Sequence, residues 1–350
     1  KGKAPQAGQI FQAPMQAKVL EKIADKGRDG FYKGEVAEDM VSSLNAIGGS
    51  HSLEDFANVR CNYTTPISGK YGSIEMFEHP PNGQGATAIC INNILSHFDI
   101  SSMDAFGVQR THIEAEATKL AYDARNRFIA DKSSRIDHML SMETAKNLAS
   151  LINTKSVLVN TKSITESVHK ETICLTIVDK DLMSVSLIYS VFHSFGSGFA
   201  SSKFGINFQN RGAGFTLEEN HPNEAGAKKR PMHTIIPGML KKNKKIIMPF
   251  CVMGGAYQAT GHSRFVSNIV DFKLDPQSSI DSPRSFADGN FLKIERGYKN
   301  NVCQGLTDLG HNLIVPDTPI GGAQAVYIDY KNGTLVGASD ARKDGASLGY

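Results

Sequence analysis

The sequence changes texture once, and abruptly. Residues 150 to 171 are rich in Ser, Thr and Lys with weak periodicity and read as an exposed connector. Thr172 to Val178 is then a β-prone run, followed by the polar turn Asp179-Lys180-Asp181 and a second run from Val185 to Val191. Two such runs around a polar turn predict a hairpin headed by Thr172. In that hairpin positions 172 and 190 lie close to opposite each other. Thr172 alone would justify no claim, because most threonines at strand heads are structural.

Before the junction the apolar spacing is mostly helical, and after it mostly strand-like. Residues 13 to 48 carry helical spacing through Met15, Val19 and Ile23 and then Val36, Met40 and Leu44, with a predicted break at Gly30 and an end at Gly48-Gly49. From His112 to Phe128 a stripe of Ile113, Ala117, Leu120, Ala121, Ala124 and Phe128 predicts an amphipathic helix on a flat surface, with Glu114, Glu116 and Lys119 mostly off the stripe. Gly72 to Glu78 alternates as a strand and leads through Pro80-Pro81-Asn82-Gly83-Gln84-Gly85 into an apolar helix over Ala86 to Leu95. That glycine-rich turn reads equally as a tight structural turn or as an anion site at a helix start. Further strands are predicted at Ile246 to Met253, Ala325 to Asp329 and Thr334 to Ala338, and a helix at Ser263 to Phe272. Helices and hairpins segregated in this way predict a layered α+β fold.

Composition narrows the function. With 38 basic and 35 acidic residues among 350, the net charge of +3 gives no nucleic-acid surface. The one dense basic cluster, Lys241-Lys242-Asn243-Lys244-Lys245, reads as a solvated hairpin turn. No stretch approaches the ~20 apolar residues that span a bilayer. Five widely spaced cysteines form no CxxC pair, which predicts free thiols, with Cys90, Cys174 and Cys251 buried in apolar runs, and leans the chain toward the cytoplasm. The eleven histidines form no HxH or HExxH motif, so no metal is expected, and no organic cofactor. A first residue Lys1 predicts that the sequence starts inside a longer precursor.

Ordered motifs then resemble a known family. In the first half they are Phe31-Tyr32-Lys33-Gly34, Gly48-Gly49 with Leu53-Glu54-Asp55, the Pro80 to Gly85 loop, and His112-Ile113-Glu114-Ala115-Glu116-Ala117. In the second half they are Thr172 to Asp181, Phe195-Gly196-Ser197-Gly198, Arg230-Pro231-Met232-His233-Thr234, Met253-Gly254-Gly255, Asp281-Ser282-Pro283-Arg284 and Ser339-Asp340-Ala341-Arg342-Lys343-Asp344-Gly345. Together they resemble the γ-glutamyltranspeptidase family of N-terminal-nucleophile (Ntn) hydrolases. The Thr172-Ile173-Cys174-Leu175-Thr176 segment is more similar to its acylase and oxamate-amidohydrolase branch than to true transpeptidases.

The resemblance implies a four-layer αββα sandwich, with two stacked antiparallel sheets flanked by helices. It implies a precursor cut at Glu171–Thr172, so that residues 1–171 are the C-terminal part of a large, helix-rich subunit and 172–350 a small catalytic subunit. Thr172 is then the nucleophile, with its own α-amine as base. Gly254 and Gly255 match the glycine pair that receives the oxyanion. Ser190 matches a hydroxyl that hydrogen-bonds the nucleophile, and His233 and Thr234 match two positions that bind the substrate carboxylate.

Two departures bear on specificity. Phe192 stands where the family holds the glutamyl α-amine with an Asn, and Gln209-Asn210-Arg211-Gly212-Ala213-Gly214-Phe215 replaces an acidic stretch. Arg211 would repel an ammonium and favour an anionic acyl group. The expected function is a self-processing amidohydrolase acting on a small-molecule amide, with Asn210, Arg211, His233 and Thr234 binding substrate. The alternatives are a γ-glutamyl hydrolase or transpeptidase and an unprocessed, inactive scaffold. The expected partners are the two subunits of one precursor, pairing again as a dimer of heterodimers, with neither nucleic acid nor membrane.

Overall fold

The computed structural model describes residues 3–133, 135–158 and 172–350. It forms two compact units, the first made of Lys1–Tyr63 with His193–Asn210, the second of Thr64–Phe192 with Arg211–Tyr350.

The first unit is helical. α1 (Pro14–Lys26) begins with proline, whose missing N–H costs nothing at a helix start, and ends at Gly27 with φ 56°. α2 (Asp29–Tyr32) contains Gly30, so the predicted break lies instead at Gly27 and again at Lys33. A Cβ on Gly30 would sit 2.1 Å from the Lys22 carbonyl oxygen; the glycine is there for close packing on α1. α3 (Gly34–Ala46) follows, then α4 (Leu53–Ala57), opened by a Ser52/Asp55 capping box. Val19, Val36, Met40 and Phe204 form the core. Asp39 on α3 accepts the N–H groups of Lys203 and Phe204 at 2.9 and 3.0 Å, which fastens the 193–210 segment to the helix.

The second unit is built on sheets. β1 (Ile67–Tyr71) and β2 (Ile74–Glu78) make a hairpin turning at Gly72, so the strand predicted from Gly72 begins two residues later. α5 (Gly85–Leu95) is buried along its whole length, with its polar Asn92 and Asn93 bonded to the Ser263 hydroxyl and the Leu140 carbonyl. Side chains such as Ile89, Ile91, Ile94 and Leu95 each contribute about 1.5–3 kcal/mol by leaving water. α6 (Val108–Phe128), α7 (Ile136–Leu140) and α8 (Met142–Ala149) complete the first half.

α6 departs from the amphipathic reading. Glu114, Glu116 and Lys119 are buried, because α5 packs on one side of the helix and further elements on another. Their charges are neutralised locally: Arg264 Nη1 forks onto both Glu114 oxygens at 2.9 and 2.8 Å, and Lys119 Nζ lies 2.7 Å from Glu116.

The second half contributes β3 (Ile173–Val178), β4 (Ser184–Tyr189), β5 (Pro237–Lys242), β6 (Lys245–Met253), α9 (Gln258–Val270), α10 (Pro276–Asp281), β7 (Ser285–Asp288), β8 (Phe291–Ile294), α11 (Asn300–Asp308), β9 (Leu313–Ile314), β10 (Gly322–Asp329) and β11 (Thr334–Ser339). Asn243 and Lys244 both take positive φ at the β5–β6 turn, where the lysine cluster was read as a hairpin. Six strands form one antiparallel sheet in the order β1-β2-β5-β6-β10-β11. The β3–β4 hairpin stacks on β6 and β10, while α5 and α9 pack on the same sheet's strands, and Met248 to Met253 are buried. These are stacked antiparallel sheets with helices, the α+β layering read from the sequence. The small β7-β8-β9 sheet beside α6 was not anticipated.

Candidate active site

The hairpin sets the site's starting point. β3 and β4 pair from Ile173↔Tyr189 to Val178↔Ser184, so one further step of the register puts Thr172 opposite Ser190. The turn is held by Asp179 Oδ1, which accepts the N–H groups of Asp181 and Met183 at 2.9 and 2.8 Å. Alternation then turns Cys174, Thr176 and Val178 inward and leaves Ile173, Leu175 and Ile177 exposed.

Two links tie the hairpin to β6. Ser186 Oγ donates to the Phe250 carbonyl at 2.8 Å. Cys174 and Cys251 form a disulfide with a Cα–Cα distance of 6.1 Å, inside the range such a bridge requires. The expectation of free thiols at both positions is therefore corrected, and the cysteine argument for a reducing compartment loses its premise. Strand stacking brings together two residues 77 apart in sequence, which spacing alone does not reveal.

Beyond β4 the backbone turns sharply, with Phe192 at φ 80°. Ser190 Oγ accepts the Phe192 N–H at 3.2 Å and Arg211 Nη2 at 2.5 Å. Arg211 Nη1 also donates to Thr234 Oγ1 at 3.3 Å, and the guanidinium lies 4.7 Å over the Phe192 ring. Burial lowers the Arg211 pKa to about 10, so it stays protonated at neutral pH. Three of the predicted residues, Ser190, Arg211 and Thr234, are thus joined directly.

His233 is threaded into the Pro80 to Gly85 loop. Its N–H donates to the Asn82 carbonyl at 2.8 Å, and its carbonyl accepts the Gln84 N–H at 2.9 Å. The loop's Gly83 N–H goes to the Pro80 carbonyl, so these donors face inward, as in the tight-turn reading. His233 Nδ1 accepts the Ile235 N–H at 3.2 Å, which puts the ring proton on Nε2. Burial first, and then the neighbouring Arg211 and His79, lower its pKa to about 3. His233 is a neutral donor at physiological pH. Beside it opens a cavity of about 350 Å³, lined also by His79, Asn82, Arg230 and Ile188.

Gly254 and Gly255 close β6 with φ values of 127° and 60°. A Cβ on Gly254 would lie 2.7 Å from the Ile320 carbonyl oxygen, so the turn requires glycine for both conformation and space. Asn210 belongs to the first unit, where its side chain bonds the His193 N–H at 3.0 Å and His193 Nδ1 at 2.7 Å. Glu171, the other half of the predicted cut, lies outside the described residues.

Sequence reasoning missed three features. Gln84 is wholly buried and bonds the Thr234 and Gly255 carbonyls, although its loop reads from the sequence only as a turn. The disulfide is the second. The third is the buried group His112, Glu116 and His311, whose ligand atoms lie within 4.8 Å of one another. Their atoms are engaged: His112 Nε2 with the Asn153 carbonyl and Nδ1 with His311 Nε2, both at 2.8 Å, and Glu116 with Lys119 and the Leu158 N–H, both at 2.7 Å. A carbonyl only accepts, so His112 Nε2 carries a proton. Burial, with His112 and Lys119 adding to it, lowers the His311 pKa to about 3. The group would bind a metal only by giving up these bonds.

The family model described as Gamma-glutamyltranspeptidase matches residues 1–350. The chain belongs to the γ-glutamyltranspeptidase family. A glutathione hydrolase-like YwrD proenzyme of Bacillus subtilis is 31% identical over all of the chain and 68% of its own length. The oxamate amidohydrolase proenzyme of Klebsiella pneumoniae is 29% identical over all of the chain and 67% of its length. Among solved structures, cephalosporin acylase from Bacillus halodurans superposes with a TM-score of 0.90 at 33% identity, covering all of this chain and 65% of that one. The chain thus spans about two thirds of these relatives, and its fold is that of an Ntn-type acylase.

Among the described residues, no helix is long and apolar enough to cross a membrane.

Proposed function

We propose that this γ-glutamyltranspeptidase-family chain is a self-processing amidohydrolase with Thr172 as its nucleophile. Cleavage of Glu171–Thr172 would free the Thr172 α-amine, dividing the chain into segments 1–171 and 172–350. The amine then takes the proton from Oγ as Oγ attacks an amide carbonyl. The tetrahedral oxyanion is received by backbone N–H groups of the Gly254–Gly255 turn. Collapse expels the amine, which leaves with the transferred proton, and water hydrolyses the resulting Thr172 ester.

One observation carries the reading: the hairpin register sets Thr172 opposite Ser190, and Ser190 Oγ is in turn held by Arg211. Arg211 also argues for the acyl group. A buried guanidinium beside two hydroxyls favours a carboxylate over an ammonium, so the substrate class is the half-amide of a small dicarboxylic acid. Neutral His233 and Thr234 add uncharged donors. The proenzyme names of the two curated relatives are consistent with self-processing.

A second reading, γ-glutamyl hydrolysis or transfer, is favoured by the name of the 31% identical relative. The two separate in one assay. Purified protein should split into two fragments, the smaller beginning at Thr172, and should cleave oxamate or a glutaryl amide faster than γ-glutamyl-p-nitroanilide. An uncut, inactive chain overturns both readings. Preference for the γ-glutamyl substrate overturns the anionic-acyl assignment.

A further inference from the structure

The Gly254–Gly255 turn has no side chains of its own, and both residues sit at positive φ. Glycine backbones leave such a turn free to take several conformations, so its shape must be imposed from outside. Gln84 is placed to impose it. Its Nε2 donates to the Gly255 carbonyl at 3.1 Å and to the Thr234 carbonyl at 2.8 Å, using both hydrogens of the carboxamide.

The amide's orientation is settled by Arg125, whose Nη1 donates to Gln84 Oε1 at 3.0 Å. A guanidinium can only donate, so the oxygen must face Arg125 and the NH₂ must face the two carbonyls. Arg125 lies 4.3 Å over the Tyr122 ring, and the Tyr122 hydroxyl donates to the carbonyl of Ala256. The carbonyls of two consecutive residues, 255 and 256, are therefore gripped by one connected set of buried donors.

We propose that Gln84 is a positioning residue for the oxyanion-binding turn, held in its working orientation by Arg125. A peptide unit is planar, so gripping the Gly255 carbonyl fixes the Gly255–Ala256 peptide plane, and with it the outgoing side of the glycine whose own N–H is proposed to receive the oxyanion. Through its second hydrogen Gln84 locks the Thr234 backbone to the same frame, and its main-chain N–H holds the His233 carbonyl at 2.9 Å. The residue thus couples the segment proposed to bind substrate to the turn proposed to stabilise the transition state. This rests on the amidohydrolase reading above.

The test uses the full-length protein and an amide that the wild type cleaves. Gln84→Met keeps the length and burial of the side chain and removes both donors. Its kcat should fall about 10- to 100-fold with KM within about threefold, a share of the 10²–10³ that one oxyanion donor supplies. Affinity for a boronate that mimics the tetrahedral intermediate should fall in step with kcat. Arg125→Lys, which lets the amide rotate, should show the same split more weakly, and it decides the matter if Gln84→Met fails to fold. Unchanged kcat in folded variants, or a raised KM with kcat retained, overturns the proposal. Amide hydrogen exchange over residues 255–257 supplies a readout independent of activity. Faster exchange in Gln84→Met supports the grip even if wild type cleaves no amide and the amidohydrolase reading fails; unchanged exchange overturns it.

Discussion

Arg211 Nη2 donates to Ser190 Oγ across 2.5 Å, while Nη1 of the same guanidinium reaches Thr234 Oγ1 at 3.3 Å. One buried cation therefore organises two hydroxyls that lie on separate segments of the chain. Replacing Arg211 by Gln should raise KM for a dicarboxylic half-amide and lower kcat/KM by about 10- to 100-fold, the cost of about 1.5–3 kcal/mol for a charged hydrogen bond. A neutral acyl amide should be affected far less. Steady-state kinetics on the paired substrates checks both.

Thr172→Ala should leave a single uncut chain and lower amide hydrolysis by about 10³-fold or more, since in the proposed mechanism Thr172 supplies both nucleophile and base. Intact-mass analysis reads the first outcome and a progress curve the second. Two fragments from Thr172→Ala would place the cut and the nucleophile elsewhere.

Stability should depend on pH through His233 and His311. Both pKa values stand near 3 against an ordinary 6.5, so the unfolded chain binds these protons at higher pH than the folded one. Their linkage leaves stability complete above about pH 6.5 and withdraws it as the pH falls toward 3, by at most about 1.4 kcal/mol per pH unit for each histidine. Urea midpoints at pH 7.5 and 4.5 measure the slope. His233→Gln should flatten it.

The Cys174–Cys251 bridge closes a loop of 77 residues. Replacing both cysteines by Ser should cost about 2–4 kcal/mol, and a reductant should lower the thermal midpoint of wild type but not of the double variant. A midpoint insensitive to reductant in wild type would speak against the bridge.

How much of this was legible in the sequence depended on distance along the chain. The β3–β4 hairpin was readable because its alternation, its Asp179 turn and its register are local, and so was the apolar helix over Ala86 to Leu95, which is α5. α6 was misread because Glu114 is neutralised by Arg264, 150 residues away. Gln84 escaped notice for the same reason, its two carbonyl partners lying 150 and 171 residues on. The resemblance supplied the roles proposed for Thr172, Ser190 and the glycine pair. It could not supply the contacts of Arg211, which stands where this sequence departs from the family pattern.

The disulfide bears on what happens to a newly made chain end. Ends of polypeptides fray unless something ties them down. If the Glu171–Thr172 bond is cut as proposed, the new terminus is two residues from a covalent anchor on β6, the strand that runs on to Gly254. The attacking group would then have almost no slack. Its distance from the turn meant to receive the oxyanion would be held by a bond as well as by packing.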